Sequence, residues 1–257
     1  MGCSGCRNGV EAPFDFTMAF QPIVDVQQGR VWAYEALVRG PEGQGAGWVL
    51  DQVTSENRYA FDQACRVKAI EMAAELFNTP DGPLLSINFL PNAVYQPAAC
   101  IRVTLQAADR TGFPVDRIML EFTEGERVDD IEHIKAIIRE YKARNLITAI
   151  DDFGAGFSGL GLLAEFQPDV IKLDMGLIRN LHTDTGRMAI LKGIMATAGL
   201  LKLTVVAEGI ESTEEMNALS GLGITLMQGF LFARPQLAGL PDIHWPQMTE
   251  VPLSAAS

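Results

Sequence analysis

The sequence predicts an α/β fold, a modified TIM (β/α)8 barrel with an antiparallel first strand. Eight short β-branched runs recur over about 240 residues, and stretches with apolar residues three or four apart lie between most of them. Strands alternating with helices imply a parallel sheet, and eight strands in this length suggest closure into a barrel. The first two runs are separated only by residues 25–30, which include Gly29. That gap is too short for a helical crossover, so these two should form an antiparallel hairpin.

In chain order, residues 1–16 carry Gly and Cys without periodicity and read as a tail. The strand-like runs follow at 19–24, 31–38, 84–89, 118–122, 147–150, 170–173, 204–207 and 225–227. Residues 61–76, with Phe61, Ala64, Cys65, Ala69, Met72, Ala73 and Leu76, read as an amphipathic helix, as do residues 131–141. From Pro235 the Pro-bearing ending reads as loosely ordered, with residues 241–257 as a C-terminal tail. The chain has 257 residues, 48% of them hydrophobic, which is enough for one large core. No low-complexity or charge-block segment divides the interior, so residues 17–240 are expected to form a single domain.

Formal net charge is −12, from 32 acidic and 20 basic residues. That excess argues against a general binder of nucleic-acid polymers or membrane surfaces, which needs a basic face. A phosphate substrate stays open, because bound divalent cations reverse the sign of an acidic pocket. Cys3, Cys6, Cys65 and Cys100 do not make a disulfide scaffold in a chain this long. Cys65 and Cys100 fall in helix-like segments and read as small buried apolar groups. Cys3 and Cys6 form a C-x-x-C pair with no further zinc ligands nearby. No apolar run approaches membrane-spanning length, and the start lacks the apolar stretch of a signal peptide, so a soluble cytoplasmic protein is expected.

The chemistry lies at the strand ends. Glu35 sits near the end of the second run, Asn88 ends the third, Glu121 the fourth and Asp151-Asp152 the fifth. Lys172 and Asp174 end the sixth, Glu208 the seventh, and Gln228 follows the eighth. In a (β/α)8 barrel these ends converge on one face, where active sites sit. A lone carboxylate at a strand end is commonly a cap or turn residue, but polar groups at seven ends of eight are not explained by capping. Carboxylates crowded together raise one another's pKa, and hard divalent cations relieve this. Oxygen ligands without His or Cys favour Mg²⁺ or Mn²⁺ over Zn²⁺. The adjacent pair Asp151-Asp152 suggests two metals, a site suited to phosphoryl displacement. Directly after it, Gly154, Gly156 and Gly159 with Ser158 form a segment that could fold over the site or serve tight turns.

These residues make the chain resemble the EAL domain family, named for the motif present as Glu35-Ala36-Leu37. The resemblance runs from about Phe16 to Pro235. It is carried in order by Gln21-Pro22-Ile23, Glu35-Ala36-Leu37-Val38-Arg39, Asn88 after Ser86-Ile87, and Glu121-Phe122-Thr123-Glu124. Residues 151–160, Lys172-Leu173-Asp174, Glu208-Gly209-Ile210-Glu211 and Gln228-Gly229-Phe230 complete the set. It implies hydrolysis of the bacterial messenger cyclic di-GMP to linear pGpG with two Mg²⁺ or Mn²⁺ ions. Glu35, Asn88, Glu121 and Asp151 would hold the first ion. Asp151 would bridge to the second, completed by Asp152 and Glu208. Lys172 would hydrogen-bond the nucleophilic water. The family also casts Glu208 as a general base, a role hardly needed if the water already bridges two cations. Glu211 and Gln228 would support the ligands or position water.

By the same resemblance Gln21, Leu37 and Arg39 match positions that touch substrate, with Asp174, Gln228 and Pro235 as further contacts. Arg39 suits a phosphate oxygen and Leu37 a guanine face, although either could instead serve the core or an acidic loop. Glu124 would anchor the 151–160 loop and couple it to a homodimer. Every signature position is kept, which favours an active enzyme. The alternatives are a catalytically silent cyclic di-GMP receptor or partner-binding module, and a different Mg²⁺-dependent barrel enzyme acting on a carboxylic acid. About 16 residues precede the domain, too few for a sensor module. A separate regulatory protein, a longer parent chain or a stand-alone enzyme all fit.

Overall fold

The computed structural model describes residues 12–123, 131–156 and 159–247. Its strands are β1 (Thr17–Asp25), β2 (Arg30–Arg39), β3 (Leu84–Asn88), β4 (Ile118–Thr123), β5 (Ile147–Phe153), β6 (Val170–Leu173), β7 (Thr204–Ala207), β8 (Leu226–Met227) and β9 (Gln236–Leu237). The helices are α1 (Ala46–Leu50), α2 (Arg58–Phe77), α3 (Pro97–Thr111), α4 (Ile131–Lys142), α5 (Gly159–Glu165), α6 (Met175–Ile178), α7 (Thr185–Leu201) and α8 (Thr213–Gly221). From β2 to β8 each strand is parallel to the next. β1 closes the barrel by pairing antiparallel with both β2 and β8. The predicted hairpin is therefore present, with Gln21 opposite Glu35 in its register. At its turn Asp25 Oδ1 accepts the amides of Gln27 and Gln28, each at 3.0 Å, and Gly29 takes φ 63°.

The ending departs from expectation. Gln236–Leu237 pairs antiparallel with β1, opposite Phe20 and Ala19, and the His244 amide donates to the Phe232 carbonyl at 2.8 Å. Pairing with an exposed backbone edge needs no hydrophobic run, so two residues after a proline gave no strand signal.

The barrel interior divides into two layers. Ile23, Ala33, Met119, Ala149, Val170, Val206 and Leu226 pack into one buried cluster, with Leu84 against it. Two residues further toward the mouth, on the same inward phase, each strand turns polar: Gln21 on β1, then Glu35, Ser86, Glu121, Asp151, Lys172, Glu208 and Gln228. β1 runs the other way, so its polar residue precedes its apolar one. The apolar layer seals the barrel beneath the polar one. Outside the strands a second, larger cluster joins sheet to helices. On α4 it takes Ile134, Ile137, Ile138 and Tyr141, one face of a helix, each worth roughly 1.5–3 kcal/mol of burial.

Candidate active site

Lys172 stands at the centre of the polar layer, fully buried. Its Nζ lies 2.7 Å from Glu208 Oε1, 3.1 Å from Glu121 Oε2, 3.1 Å from Asp151 Oδ1 and 3.4 Å from Glu35 Oε2. Asn88, exposed at the end of β3, donates its Nδ2 to Glu35 Oε1 at 3.1 Å and to Glu121 Oε1 at 3.0 Å. Gln228 donates to Glu35 Oε2 at 2.7 Å and to Gln21 Oε1 at 3.3 Å, and Gln21 donates to the Ala233 carbonyl at 3.2 Å. Ser86 donates to Glu121 Oε2 at 2.5 Å from below. A chain of side-chain bonds thus links the residues that project inward from β1, β2, β3, β4 and β8.

A regular strand would point Asp151 and Asp152 to opposite faces. Here β5 carries a bulge: Ile150 pairs with Ile171 but Phe153 with Leu173, so one extra residue is accommodated, and Asp152 takes φ 53°. The left-handed turn swings both carboxylates to the mouth, at a cost of roughly 1–2 kcal/mol. As a result two groups of carboxylates each have ligand atoms within 4.8 Å of one another: Glu35, Glu121 and Asp151, and Asp151, Asp152 and Glu208. Asp151 belongs to both.

One lysine cannot neutralise this many acids. Burial tends to lower Lys172, but Asp151, Glu121, Glu208 and Glu35 together hold it well above the usual lysine range. Burial also lifts Glu35; Lys172 and the bonds from Gln228 and its neighbours overcome this and hold it below the usual carboxylate value. Glu121 is pushed well above that value by burial and by Glu35 and Asp151, despite Lys172. Glu208 is likewise pushed well up, by burial and then by Asp151 and Glu35. Burial and Asp151 raise Asp152 too. The upward shifts of Glu121 and Glu208 express the same repulsion that a bound cation would relieve. The donor set fits a hard cation: the buried oxygens Asp151 Oδ1 and Gln228 Oε1 accept no hydrogen bond within the described residues. Nearby Asn88 needs only an amide half-turn to present Oδ1.

A cavity of about 230 Å³ opens above the layer, lined by Gln21, Glu35, Asp151, Glu208, Glu211 and Gln228 together with Met175, Gly209, Gly229 and Phe230. Glu211 is at its wall, with Oε2 at 2.9 Å from Arg179, and it touches neither Lys172 nor the carboxylate groups above. Leu37 lies elsewhere, lining an apolar cavity of about 270 Å³ with Asn88, Thr123 and Phe89. Arg39 is half-buried and donates to the Val38 carbonyl at 2.7 Å. Asp174 caps α6 through Gly176 N at 2.8 Å, close enough to help raise Asp152. Pro235 is half-buried just before β9. Glu124, Phe157, Ser158, Cys3 and Cys6 lie outside the described residues.

Several contributors escape reasoning by strand ends. Ser86 shares the inward phase of Asn88 two residues later, which is a readable signal once the strand is assigned. The bulge has none, because two adjacent aspartates are compatible with a straight strand. Gly229 is fixed by contact: an added Cβ would sit 2.0 Å from the Ile210 carbonyl oxygen, locking the β7 and β8 ends together.

The EAL domain family profile matches residues 7–235, and the chain belongs to that family. Among curated relatives it is 35% identical over 229 residues to the blue light- and temperature-regulated antirepressor BluF of Escherichia coli, covering 89% of this chain and 56% of BluF. It is 36% identical over 138 residues to the cyclic di-GMP phosphodiesterase PdeR of the same organism, covering 54% of this chain and 20% of PdeR. The chain thus spans about half the length, or less, of these relatives. Among solved structures, a standalone EAL protein of Vibrio cholerae in a c-di-GMP bound form superposes with TM-score 0.87 at 52% identity, over 91% of this chain and 98% of that one. Klebsiella pneumoniae BlrP1, in a manganese and cyclic di-GMP complex, gives TM-score 0.85 at 35% identity over 91% of this chain and 59% of BlrP1. Another BlrP1 structure holds FMN and cyclic di-GMP with no metal ions; it covers 90% of this chain and 56% of BlrP1, with TM-score 0.75 and 30% identity.

Proposed function

We propose that this chain hydrolyses cyclic di-GMP to linear pGpG, using two Mg²⁺ or Mn²⁺ ions held in the polar layer of the barrel. The observation that carries this reading is the pair of carboxylate groups sharing Asp151. Glu35, Asn88, Glu121 and Asp151 would hold the first cation, and Asp151, Asp152 and Glu208 the second. Such a pair supplies an activated water and neutralises charge on the diester. The chain's own residues do the rest. Lys172 keeps its proton and fixes four carboxylates around one point, leaving a charge beneath the attacked phosphate. Gln228 orients Glu35, and Ser86 orients Glu121. Glu211, held by Arg179, stands at the wall to position water. Gln21 lines the cavity above the layer, and Leu37, Arg39, Asp174 and Pro235 would be the further substrate contacts, Arg39 turning from the Val38 carbonyl to a phosphate oxygen.

The catalytic unit is residues 17–240, acting in the cytoplasm as a homodimer coupled to the site through Glu124. No helix among the described residues is long and apolar enough to cross a membrane. A dimer surface is offered where exposed Leu160 of α5 and Ile190 of α7 flank an apolar cavity beside Phe153 and Gly154, at the bulge. Sedimentation should give twice the chain mass, with Leu160→Glu shifting it toward the monomer.

BluF favours a second reading, since that relative is named an antirepressor: a catalytically silent receptor. Incubating the protein with cyclic di-GMP and Mn²⁺ separates the two. The enzyme yields pGpG, and Glu35→Ala abolishes it; binding without product would establish the receptor.

A further inference from the structure

Glu35 and Glu121 have ladder partners on both sides, Gln21 and Ser86 for the first, Asn88 and Ala149 for the second. Asn88 does not. On the β2 side pairing stops at Ile87, opposite Ala36, so the last residue of β3 is laddered to β4 alone. Beyond Leu90 the chain leaves the sheet for a single helical turn, Pro91–Ala93. A charge on another element fixes this exit. Asp62 of α2 is 2% exposed, and its Oδ1 accepts the Leu90 amide at 2.9 Å. Its Oδ2 pairs with Arg66, one turn further along α2 and fully buried. Arg66 also donates to Thr104 Oγ1 on α3 at 3.4 Å. With Asn88, Phe89 and Leu90, Asp62 lines the apolar cavity that includes Leu37. A buried ion pair adds little stability over an apolar pair of similar volume. What the apolar pair could not supply is the acceptor for Leu90.

We propose that Asp62 is a positioning residue for the candidate active site: kept in place by Arg66, it pins the Leu90 amide and so sets the backbone from which Asn88 reaches the first cation. This rests on the two-cation reading of that site. Asp62 belongs to neither carboxylate group and acts only through the chain that follows Asn88. Groups that orient a ligand from behind typically govern metal affinity by about 10–100-fold.

The test uses two double variants of the whole chain. Asp62→Leu with Arg66→Met removes both charges and the acceptor. Asp62→Asn with Arg66→Met also removes the charges but returns an oxygen to Leu90. Both are titrated with Mn²⁺ in an Asp152→Asn background, where the first cation is read alone. The first double variant should bind Mn²⁺ about tenfold more weakly, and the second should recover to within about twofold. Wild type supplies an independent reading. Coupling is reciprocal, so saturating Mn²⁺ should slow hydrogen exchange of the Leu90 amide by the same factor of about ten. The Gln27 amide, held by Asp25 at the hairpin turn before β2, should change less than about twofold and serves as the control. Unchanged Mn²⁺ affinity in the first double variant, or a loss that the second fails to recover, would overturn the positioning role and leave the two-cation centre standing. Leu90 exchange indifferent to Mn²⁺ would do the same, and it decides alone if the double variants do not fold. Wild type that binds no Mn²⁺ would overturn both.

Discussion

Two layers of side chains fill the inside of this barrel, and they lie only two residues apart on each strand. In the lower one Ile23, Ala33, Met119, Ala149, Val170, Val206 and Leu226 exclude water. In the upper one Glu35, Glu121, Asp151 and Glu208 crowd around Lys172. The lower layer is satisfied by its own contacts. The upper is not: its acids outnumber its cation, and two of them are held far above the usual carboxylate range. The same strand geometry therefore stabilises the fold at one level and stores electrostatic repulsion at the next, where a divalent cation can release it.

The sharpest way to break the contrast is Lys172→Met. Removing the cation of the upper layer leaves its acids unopposed and should destabilise the metal-free protein by roughly 3–5 kcal/mol. Urea unfolding should show a smaller loss in Mn²⁺ than in EDTA, and turnover in Mn²⁺ should disappear. Met119→Ala probes the lower layer. It should cost about 2–5 kcal/mol through the cavity it leaves, equally with and without Mn²⁺. Asp152→Gly separates fold from function at the bulge: relief of its left-handed backbone should stabilise the metal-free chain by about 1 kcal/mol, while Mn²⁺ binding measured by calorimetry falls.

The smallest effect is in pH. Glu121 and Glu208 have raised pKa values, so above the ordinary carboxylate value of about 4.3 the folded state holds protons that the unfolded state has released. Stability of the metal-free protein should then fall as pH rises from there through the raised values. Lys172 does not offset this, because its contribution stays intact until the pH exceeds the ordinary lysine value. Thermal melts in EDTA should decline from pH 5 to 8. Apparent Mn²⁺ affinity should climb over the same range, because bound cations displace those protons.

Much of this was legible in the sequence because it depends on period two. Runs such as 170–173 and 204–207 coincide with β6 and β7, and the polar residue after each apolar one marked Lys172 and Glu208. The hairpin followed from a gap too short for a crossover. What escaped depends on backbone and distance. The bulge at Asp152, the β9 pairing with β1 and the contact of Gly229 with Ile210 leave no periodic trace. Nor does spacing distinguish Glu211, bonded to Arg179 at the wall, from Glu208, bonded to Lys172 at the centre.

The central claim is that the upper layer is a two-cation centre joined by Asp151, and counting bound metal tests it most directly. Equilibrium dialysis against Mn²⁺ should find two ions per chain in wild type and one in Asp152→Asn, with Asp151→Asn weakening both. A single ion in wild type, or two retained in Asp151→Asn with unchanged affinity, would contradict it.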